Sequence, residues 1–229
     1  MTSPATPVVA VLDYEAGNVR SAQRGLQRAG ADAFITSSPD EAARADALVI
    51  PGVGAFRSCL EALRDAGLET LVHDWIAADR AMFGICVGMQ LLYRRSDEGG
   101  VDGLGLLPGD VRRLPSDAIV PHMGWDVVRS VGAPDPLMAG VDGDRLYFVH
   151  SFYAQPDDHT HVVASCRYGG VAFPCVVREG NVVGTQFHPE KSGDVGARLL
   201  SNWVGSLVAP TLRVAAHPDT GGGATRNAG

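Results

Sequence analysis

The segment FGICVGMQ (83–90) directly overlaps the end of an apolar run, AMFGI (81–85). Cys86 therefore lies between a predicted strand and a predicted helix, with Gly84 two residues before it and Gly88 two residues after it. This is the layout of a nucleophile elbow, with cysteine in place of serine. Such a turn leaves no room for a Cβ atom at the flanking positions. It also points the sulfur at the N-terminus of the following helix, where a thiolate is favoured.

The residues before this segment alternate between strand and helix patterns. Continuous apolar runs, typical of strands buried on both faces, predict strands at 8–12, 33–36, 47–50 and 81–85. Apolar spacings of three and four residues predict helices at 19–29, 56–63 and 68–78. Ser38-Pro39-Asp40-Glu41 is a capping box that begins one more helix. This alternation predicts an α/β fold with a mostly parallel central sheet and helices on both faces, in three layers.

The second half of the chain has a different pattern. Short strand-like runs joined by turns, from about 99 to 180, predict a smaller section of mixed or antiparallel strands. A closing amphipathic helix is predicted at about 194–208. The residues from 209 to 229 have no apolar periodicity, so we expect one domain over 1–208 and a disordered C-terminal tail.

Composition excludes several classes of protein. Of the 229 residues, 45% are hydrophobic and 20% are charged, as in ordinary globular proteins. The net charge is −7 and the arginines are scattered, so no nucleic-acid surface is expected. No apolar stretch has the length of a membrane span, and the N-terminus does not resemble a signal peptide. The four cysteines form no CxxC pair, which favours reduced thiols and a cytoplasmic location.

A cysteine nucleophile needs a base, and the base needs a residue that orients it. His188 lies in QFHPE (186–190), just after a strand-like run, and Glu190 is two residues further on. Because catalytic groups gather at the carboxyl ends of strands in an α/β sheet, Cys86 and His188 are expected to meet. His159 and His161 alternate as metal ligands do, but no third ligand is nearby, so no metal site and no cofactor are predicted.

The loop PGVGAF (51–56) follows the third strand. Its glycines allow backbone N–H groups to approach a ligand closely, although such a loop is also a common turn. Gly52 and Val53, together with the N–H of Val87, are therefore candidates for an oxyanion hole. The sequence has neither a GxxxxGK[ST] loop nor a GxGxxG motif, so nucleotide binding has no support.

These motifs resemble those of the class I, triad-type glutamine amidotransferases. PHMGW (121–125) and YFVHSFY (147–153) make the chain more similar to one family among them, the glutaminase subunits of imidazole glycerol phosphate synthase. The resemblance runs from about Val8 to Val208. Two departures are Glu15, where the family usually has glycine, and Asp126, where asparagine is common.

The resemblance implies a mechanism and a partner. Cys86 would attack glutamine, His188 would act as the base and Glu190 as its orienting residue. Gln90 and the backbone near Ser151 and Phe152 would hold the amino-acid end of the substrate. The ammonia would pass to a (β/α)8-barrel cyclase of histidine biosynthesis. The candidate residues for that interface are His122, Met123, Gly124, Trp125 and Lys191, the last being the only lysine in the chain.

Two other functions remain as alternatives. A stand-alone hydrolase of γ-glutamyl or similar amides would need no partner and would be fully active as an isolated chain. A non-catalytic interaction subunit would form no thioester, and the intact set of Cys86, His188 and Glu190 argues against it.

Overall fold

The structure is a computed structural model, and it describes residues 5–208. The predicted disordered tail, 209–229, lies outside the described residues. None of the helices in the described part of the chain is long and apolar enough to cross a membrane.

The first half of the chain alternates between strands and helices, as predicted. Its elements are β1 (Val8–Leu12), α1 (Val19–Arg28), β2 (Asp32–Thr36), α2 (Pro39–Ala42), β3 (Ala47–Gly52), α3 (Phe56–Asp65), α4 (Leu68–Ala77), β4 (Ala81–Cys86) and α5 (Val87–Gln90). The capping box forms in part, since the Ser38 hydroxyl accepts a hydrogen bond from the backbone N–H of Glu41 at 3.3 Å. Gly30, just after α1, has a φ of +99° and so ends that helix in a conformation suited to glycine.

The second half is mostly strands and ends in a long helix. Its elements are β5 (Arg95–Ser96), β6 (Val101–Asp102), β7 (Gly109–Arg113), β8 (His122–Ser130), β9 (Arg145–His150), β10 (Phe152–Pro156), β11 (Val162–Tyr168), β12 (Val171–Glu179), β13 (Val182–Thr185) and α6 (Gly193–Val208). Three 3₁₀ turns lie at Pro136–Met138, His159–His161 and Pro189–Lys191.

Nine strands form one sheet in the order β2-β1-β3-β4-β13-β12-β11-β8-β9. The pairs from β2 to β13 are parallel and those from β13 to β9 are antiparallel. A second, smaller sheet has the order β10-β7-β5-β6. The α/β fold with a parallel core is therefore confirmed. The antiparallel strands mainly extend the central sheet, since β13 belongs to both sections and joins them.

Both faces of the parallel section are covered by other parts of the chain. Every residue of β3 is buried, which requires packing on both sides of the strand. One group of helices contains α1 and α6, which touch each other, and another contains α3, which touches α4 and α5. Trp203 of α6 packs against Phe83 of β4 with ring centroids 5.2 Å apart, so the closing helix covers the strand that leads to Cys86.

The parallel pairing fixes which residues meet at one edge of the sheet. Gly52, at the end of β3, is paired with Cys86, at the end of β4. On the other side of β4, Thr185 at the end of β13 is paired with Ile85. The chain after β13 therefore brings His188 to the same edge as Cys86, across the 102 positions between them in the sequence. This edge carries the candidate active site.

Candidate active site

Cys86 lies in the sharp turn that the flanking glycines predict. Its φ of +55° is uncommon for a residue with a side chain, and strain of this kind costs on the order of 1–3 kcal/mol and is concentrated at functional sites. A Cβ on Gly84 would lie 2.7 Å from the Cα of Met89. A Cβ on Gly88 would overlap the carbonyl oxygen of Ile50. The close packing of α5 onto β3 and β4 therefore depends on these two glycines.

His188 is held by its backbone as well as by its ring. Its N–H donates to the carbonyl of Tyr147 at 3.0 Å, and its carbonyl accepts from the Ser192 hydroxyl at 2.7 Å. In the ring, Nδ1 lies 2.9 Å from Oε1 of Glu190. Proline at 189 begins the 3₁₀ turn that brings the carboxylate back to the imidazole. The structure thus brings His188 and Glu190 together as expected.

The surroundings of His188 favour its protonated form. Burial of the imidazole lowers its pKa, but interaction with Cys86 and the hydrogen bond to Glu190 raise it by more, to about 9. In the described part of the chain, Nε2 makes no hydrogen bond of normal geometry. The Cys86 sulfur therefore lies close enough to the imidazole to raise its pKa, and Nε2 is left available to a reacting molecule.

A cavity of about 540 Å³ opens over these residues. It is lined by Cys86 and His188 and by six further residues that the sequence singled out: Val53, Val87, Gln90, Ser151, Phe152 and Lys191. Among its lining residues Glu98 is the one carboxylate and Lys191 the one side chain with a permanent positive charge. The cavity therefore has charges of both signs near the thiol, which suits an amino acid carrying an ammonium and a carboxylate group.

The other three thiols lie in settings that keep them protonated. Burial, with a smaller contribution from Cys86, raises the pKa of Cys59 to about 11. Burial also raises the pKa of Cys166 to about 12 and raises that of Cys175, which is fully buried. A thiol is a nucleophile only as thiolate, so these three are unsuited to that role. All four cysteines are free.

The loop after β3 is pressed against the elbow. A Cβ on Gly52 would lie 2.5 Å from the backbone nitrogen of Gly88, so glycine is required for this contact. The hydroxyl of Tyr14 donates to the carbonyl of Pro51 and fixes the start of the loop. The next residue after Gly52, Val53, is 37% exposed, and Gly54 has a φ of +104° in open space. The loop is therefore fixed at its beginning and freer toward Gly54.

Gln90 lies deeper than a residue that only binds substrate. It is 2% exposed, and its Nε2 donates to the carbonyl of Phe152 at 2.8 Å and to Oε1 of Gln186 at 3.0 Å. Nε2 of Gln186 in turn lies 3.6 Å from the sulfur of Cys86. The amide of Gln90 therefore connects the backbone at one side of the cavity to the surroundings of the nucleophile.

One residue predicted for the partner interface is not on the surface. His122 is 1% exposed, and its ring stacks on Tyr168 at a centroid distance of 3.9 Å. Its Nε2 lies 2.7 Å from Oδ2 of Asp126, and its Nδ1 lies 3.0 Å from Nε2 of His150. Alternation along β8 explains the error: Met123 and Trp125 point outward, so the histidine before them points inward.

A buried line of polar groups thus runs from β8 to the cavity. Nδ1 of His150 donates to the carbonyl of Phe152 at 2.9 Å, the same carbonyl that Gln90 uses. Burial lowers the pKa of His150 to about 3. Burial also lowers the pKa of His122, although Asp126 opposes this effect. Both rings are therefore mainly uncharged near neutral pH.

The other predicted interface residues are accessible to different degrees. Met123 is 63% exposed and Trp125 is 47% exposed, which is unusual for large apolar side chains. Gly124 is half-buried, and Lys191 is exposed at the mouth of the cavity. Trp125 packs edge to face on Tyr147 with ring centroids 5.9 Å apart. These residues lie on β8 and on the 3₁₀ turn that contains Glu190.

Several residues of the site were missed by sequence reasoning. His150, Glu98 and Asn18 all line the cavity. His150 stands in the quoted YFVHSFY motif and Gln186 in QFHPE, so their positions were visible but their roles were not. Glu98 lies in a polar loop after α5, and its carboxylate accepts from the backbone N–H of Phe56 at 2.8 Å. Nothing in the sequence distinguishes it from a surface acid.

A second cavity, of about 650 Å³, is larger but lies apart from this chemistry. Its lining comes from 131–135, 153–165 and 172–178, and does not include the elbow or the histidine at 188. Its charged groups are largely satisfied, since Arg178 forms two hydrogen bonds, of 2.6 and 3.1 Å, with Asp135. Size alone is therefore a poor guide to the active site here.

Comparison with known proteins agrees with this geometry. The family model "Glutamine amidotransferase class-I" matches residues 10–205. The chain is 47% identical over 204 residues to the imidazole glycerol phosphate synthase subunit HisH of Mycolicibacterium paratuberculosis, covering 87% of this chain and 98% of the relative. It is 48% identical over 208 residues to the subunit of the same name from Nocardia farcinica, with the same two coverages.

Solved structures support the fold. A crystal structure described as a glutamine amidotransferase superposes with a TM-score of 0.68 at 23% identity, covering 86% of this chain and 98% of the other. The structure of PurLQS from Thermotoga maritima contains a chain that superposes with a TM-score of 0.70 at 19% identity, covering 89% and 100%. The family match and the two relatives, which are 47% and 48% identical to this chain, establish its family. The chain belongs to the class-I glutamine amidotransferases, in the family of imidazole glycerol phosphate synthase HisH subunits.

Proposed function

We propose that the chain is the glutaminase subunit of an imidazole glycerol phosphate synthase. It hydrolyses glutamine to glutamate and ammonia through a thioester on Cys86, and it passes the ammonia to a cyclase subunit. The observation that carries this proposal is Cys86 at positive φ, sharing one cavity with His188, whose other ring nitrogen is held by Glu190.

The cavity supports glutamine as the substrate. The ammonium group of glutamine pairs with the carboxylate of Glu98, and its α-carboxylate faces the backbone at Ser151 and Phe152. The side-chain amide then reaches the thiol at the elbow. Gln90 contributes mainly its oxygen, because both N–H groups of its amide are already donated.

The first half of the reaction releases ammonia. The Cys86 thiolate attacks the amide carbon, and the C–N bond breaks as His188 gives its Nε2 proton to the leaving nitrogen. The raised pKa of His188, about 9, supports this step because the imidazole begins the cycle protonated. The negative oxygen of the tetrahedral intermediate accepts hydrogen bonds from the backbone N–H of Val87 and from the Gly52–Val53 region.

The second half of the reaction restores the enzyme. The neutral imidazole of His188 takes a proton from water, and the hydroxide formed attacks the thioester carbon. The C–S bond breaks, the product leaves as glutamate after its new carboxyl group loses a proton to solvent, and the thiolate again faces a protonated imidazole. Glu190 accepts a hydrogen bond from Nδ1 throughout, which keeps Nε2 directed at the reaction.

The ammonia needs an acceptor close by, because in neutral water it becomes ammonium and loses its nucleophilicity. We propose a (β/α)8-barrel cyclase of histidine biosynthesis as the partner, acting in the cytoplasm. Met123 and Trp125, exposed on β8, and Lys191, at the mouth of the cavity, support a docking surface there. The domain that carries this activity spans residues 1–208.

The test is the Cys86→Ala variant in complex with the cyclase. Glutamine-dependent synthesis should be abolished, whereas synthesis supplied with ammonium salts should continue, because the cyclase does not use the thiol. Cys166→Ala is the matched control and should keep glutamine-dependent synthesis. Near-normal glutamine turnover by the Cys86 variant would refute the proposal, and loss of both activities would show that the cyclase itself had been disturbed.

A further inference from the structure

Gln186 is a buried polar residue for which the mechanism above has no use. It is 0% exposed, and it lies between β13 and His188. Its backbone N–H donates to the carbonyl of Cys175 at 2.9 Å, which fixes the residue to β12. Its side-chain nitrogen lies 3.6 Å from the sulfur of Cys86. A buried amide costs free energy unless its groups are bonded, so this contact requires an explanation.

The direction of the amide follows from the neighbouring groups. The carbonyl of Phe152 can only accept, so the group of Gln90 facing it at 2.8 Å has to be the NH2. The second N–H of that same NH2 points to Gln186 at 3.0 Å and needs an acceptor, which has to be Oε1. Gln186 therefore turns its own NH2 toward Cys86. A single fixed carbonyl thus decides the order of donors and acceptors along the line Phe152–Gln90–Gln186–Cys86.

A donor at this place has a chemical purpose. Cys86 is only 2% exposed, so few water molecules can reach its thiolate. The proton of His188 has to be given to the leaving ammonia, and Nε2 of His188 makes no formed hydrogen bond to the sulfur among the described residues. An amide N–H differs from imidazolium because it cannot be transferred at neutral pH. It can remain on the sulfur while the imidazole serves the substrate.

We propose that Gln186 belongs to the catalytic centre as a permanent hydrogen-bond donor to the Cys86 sulfur, and that Gln90 acts as a positioning residue that sets its direction. This inference rests on the proposed function, in which Cys86 is the nucleophile. A hydrogen bond to a charged group contributes about 1.5–3 kcal/mol. Its loss should therefore make the thiolate roughly 10- to 100-fold less abundant.

The test measures the thiol directly, without glutamine. The full-length protein is treated with iodoacetamide between pH 5 and pH 10, and alkylation of the peptide that contains Cys86 is followed by mass spectrometry. Gln186→Met keeps the length of the side chain and removes the donor. The alkylation profile of Gln186→Met should move by one to two pH units toward alkaline pH. In a separate assay of glutamine turnover, kcat of this variant should fall more than KM rises. Gln23→Met is the matched control, because Gln23 lies on α1, away from the elbow, and its amide donates to the backbone carbonyl of Ala33 on β2.

The outcomes separate the inference from the proposed function. An unchanged alkylation profile in folded Gln186→Met would overturn the inference. If that variant does not fold, Gln186→Leu gives the same readout, since it also removes the donor and adds no charge beside the sulfur. If the alkylation profile of Gln186→Met is shifted but the wild-type protein never turns over glutamine, the inference is supported and the proposed function is refuted. If Gln186→Met has the same alkylation profile as the wild type and normal glutamine turnover, the inference is refuted and the proposed function is supported.

Discussion

Nδ1 of His188 lies 2.9 Å from Oε1 of Glu190, and the two side chains are only 1% and 2% exposed. Burying a carboxylate is costly unless it is paired, and a buried pair broken on one side is strongly destabilising. The pair therefore links the chemistry of the site to the stability of the protein. Substitution of Glu190 should affect both, and in ways that can be measured separately.

The first prediction concerns turnover in the Glu190→Gln variant. If the carboxylate orients and polarises His188, glutamine hydrolysis should fall by no more than the roughly 10²–10⁴-fold that general acid–base catalysis is worth. Because substrate contacts are unchanged, KM should move little. The measurement is steady-state glutamate release by the complex with the cyclase. Turnover at the wild-type rate would show that Glu190 has no part in the reaction.

The second prediction concerns pH and stability. The pKa of His188 is raised from 6.5 to about 9, so the folded protein binds this proton more tightly than the unfolded chain does. The resulting stabilisation is complete below about pH 6.5 and is lost as pH rises through about 9. Glu190→Gln removes part of the cause. Its effect on the free energy of unfolding should be largest near pH 6 and should shrink toward pH 10.

Urea unfolding at a series of pH values checks this second prediction. The control is Glu69→Gln, which breaks the surface pair that Glu69 forms with Arg64 at 3.0 Å. Surface pairs contribute little to stability, so the control should show a small and nearly constant effect. A destabilisation by Glu190→Gln that did not vary with pH would contradict the assigned cause of the raised pKa.

The third prediction concerns the packing of the elbow. Gly88→Ala would place a Cβ against the backbone of Ile50, and backbone in a buried strand cannot move aside. Overpacking of this kind costs about 1–3 kcal/mol or more in free energy of unfolding. Gly205→Ala is the control, because Gly205 faces open space on α6, where alanine should stabilise by up to about 1 kcal/mol. Equal stability of the two variants would refute the packing argument.

The fourth prediction is that the isolated chain is a poor glutaminase. The loop after β3 is fixed at Pro51 but freer at Val53 and Gly54, so its N–H groups can lie away from the oxyanion until a partner binds. A missing oxyanion donor costs roughly 10²–10³ in rate. Glutamate release should rise by at least that factor with the cyclase and its nucleotide substrate. Equal rates with and without them would favour a stand-alone hydrolase.

Lys191→Ala tests the surface through which this activation acts. Lys191 is exposed on the turn next to Glu190, so its loss should weaken activation more than it lowers the free energy of unfolding. Arg44→Ala is the matched control. Arg44 is exposed just before β3, at the end of the sheet opposite the elbow, and its loss should leave activation unchanged.

Local chemistry explains why most of the fold and the centre of the site were predictable from sequence. The glycines stand two residues before and two residues after Cys86 in the sequence, although Gly88 is required by a contact with Ile50, and the proline and glutamate after His188 act within one turn. Such short-range constraints leave a pattern in the chain. Because β4 pairs in parallel with β3 and β13, the residues after these strands meet at one edge, which is where functional groups gather in such sheets.

The parts that sequence missed depend on contacts between distant segments. Glu98 enters the cavity because its carboxylate binds the N–H of Phe56, 42 positions earlier. Gln186 reaches Cys86 across 100 positions. His122 was predicted for the partner interface because the residues of PHMGW (121–125) were treated alike. In the structure, successive side chains of β8 point to opposite faces of the sheet. The long-range contacts leave no local pattern from which the roles of Glu98 and Gln186 could be inferred.

The line of polar contacts from Asp126 through His122 and His150 to the Phe152 carbonyl also determines how many hydrogens it must contain. It contains three contacts, of 2.7, 3.0 and 2.9 Å, and each needs one hydrogen. Two neutral rings supply two, and a carbonyl and a carboxylate supply none. The line is therefore one hydrogen short, whereas an asparagine in place of Asp126 would bring its own amide hydrogen. A partner that covers this end of the line removes the water that can supply the missing hydrogen, so we expect the heat of association to vary with the ionisation enthalpy of the buffer.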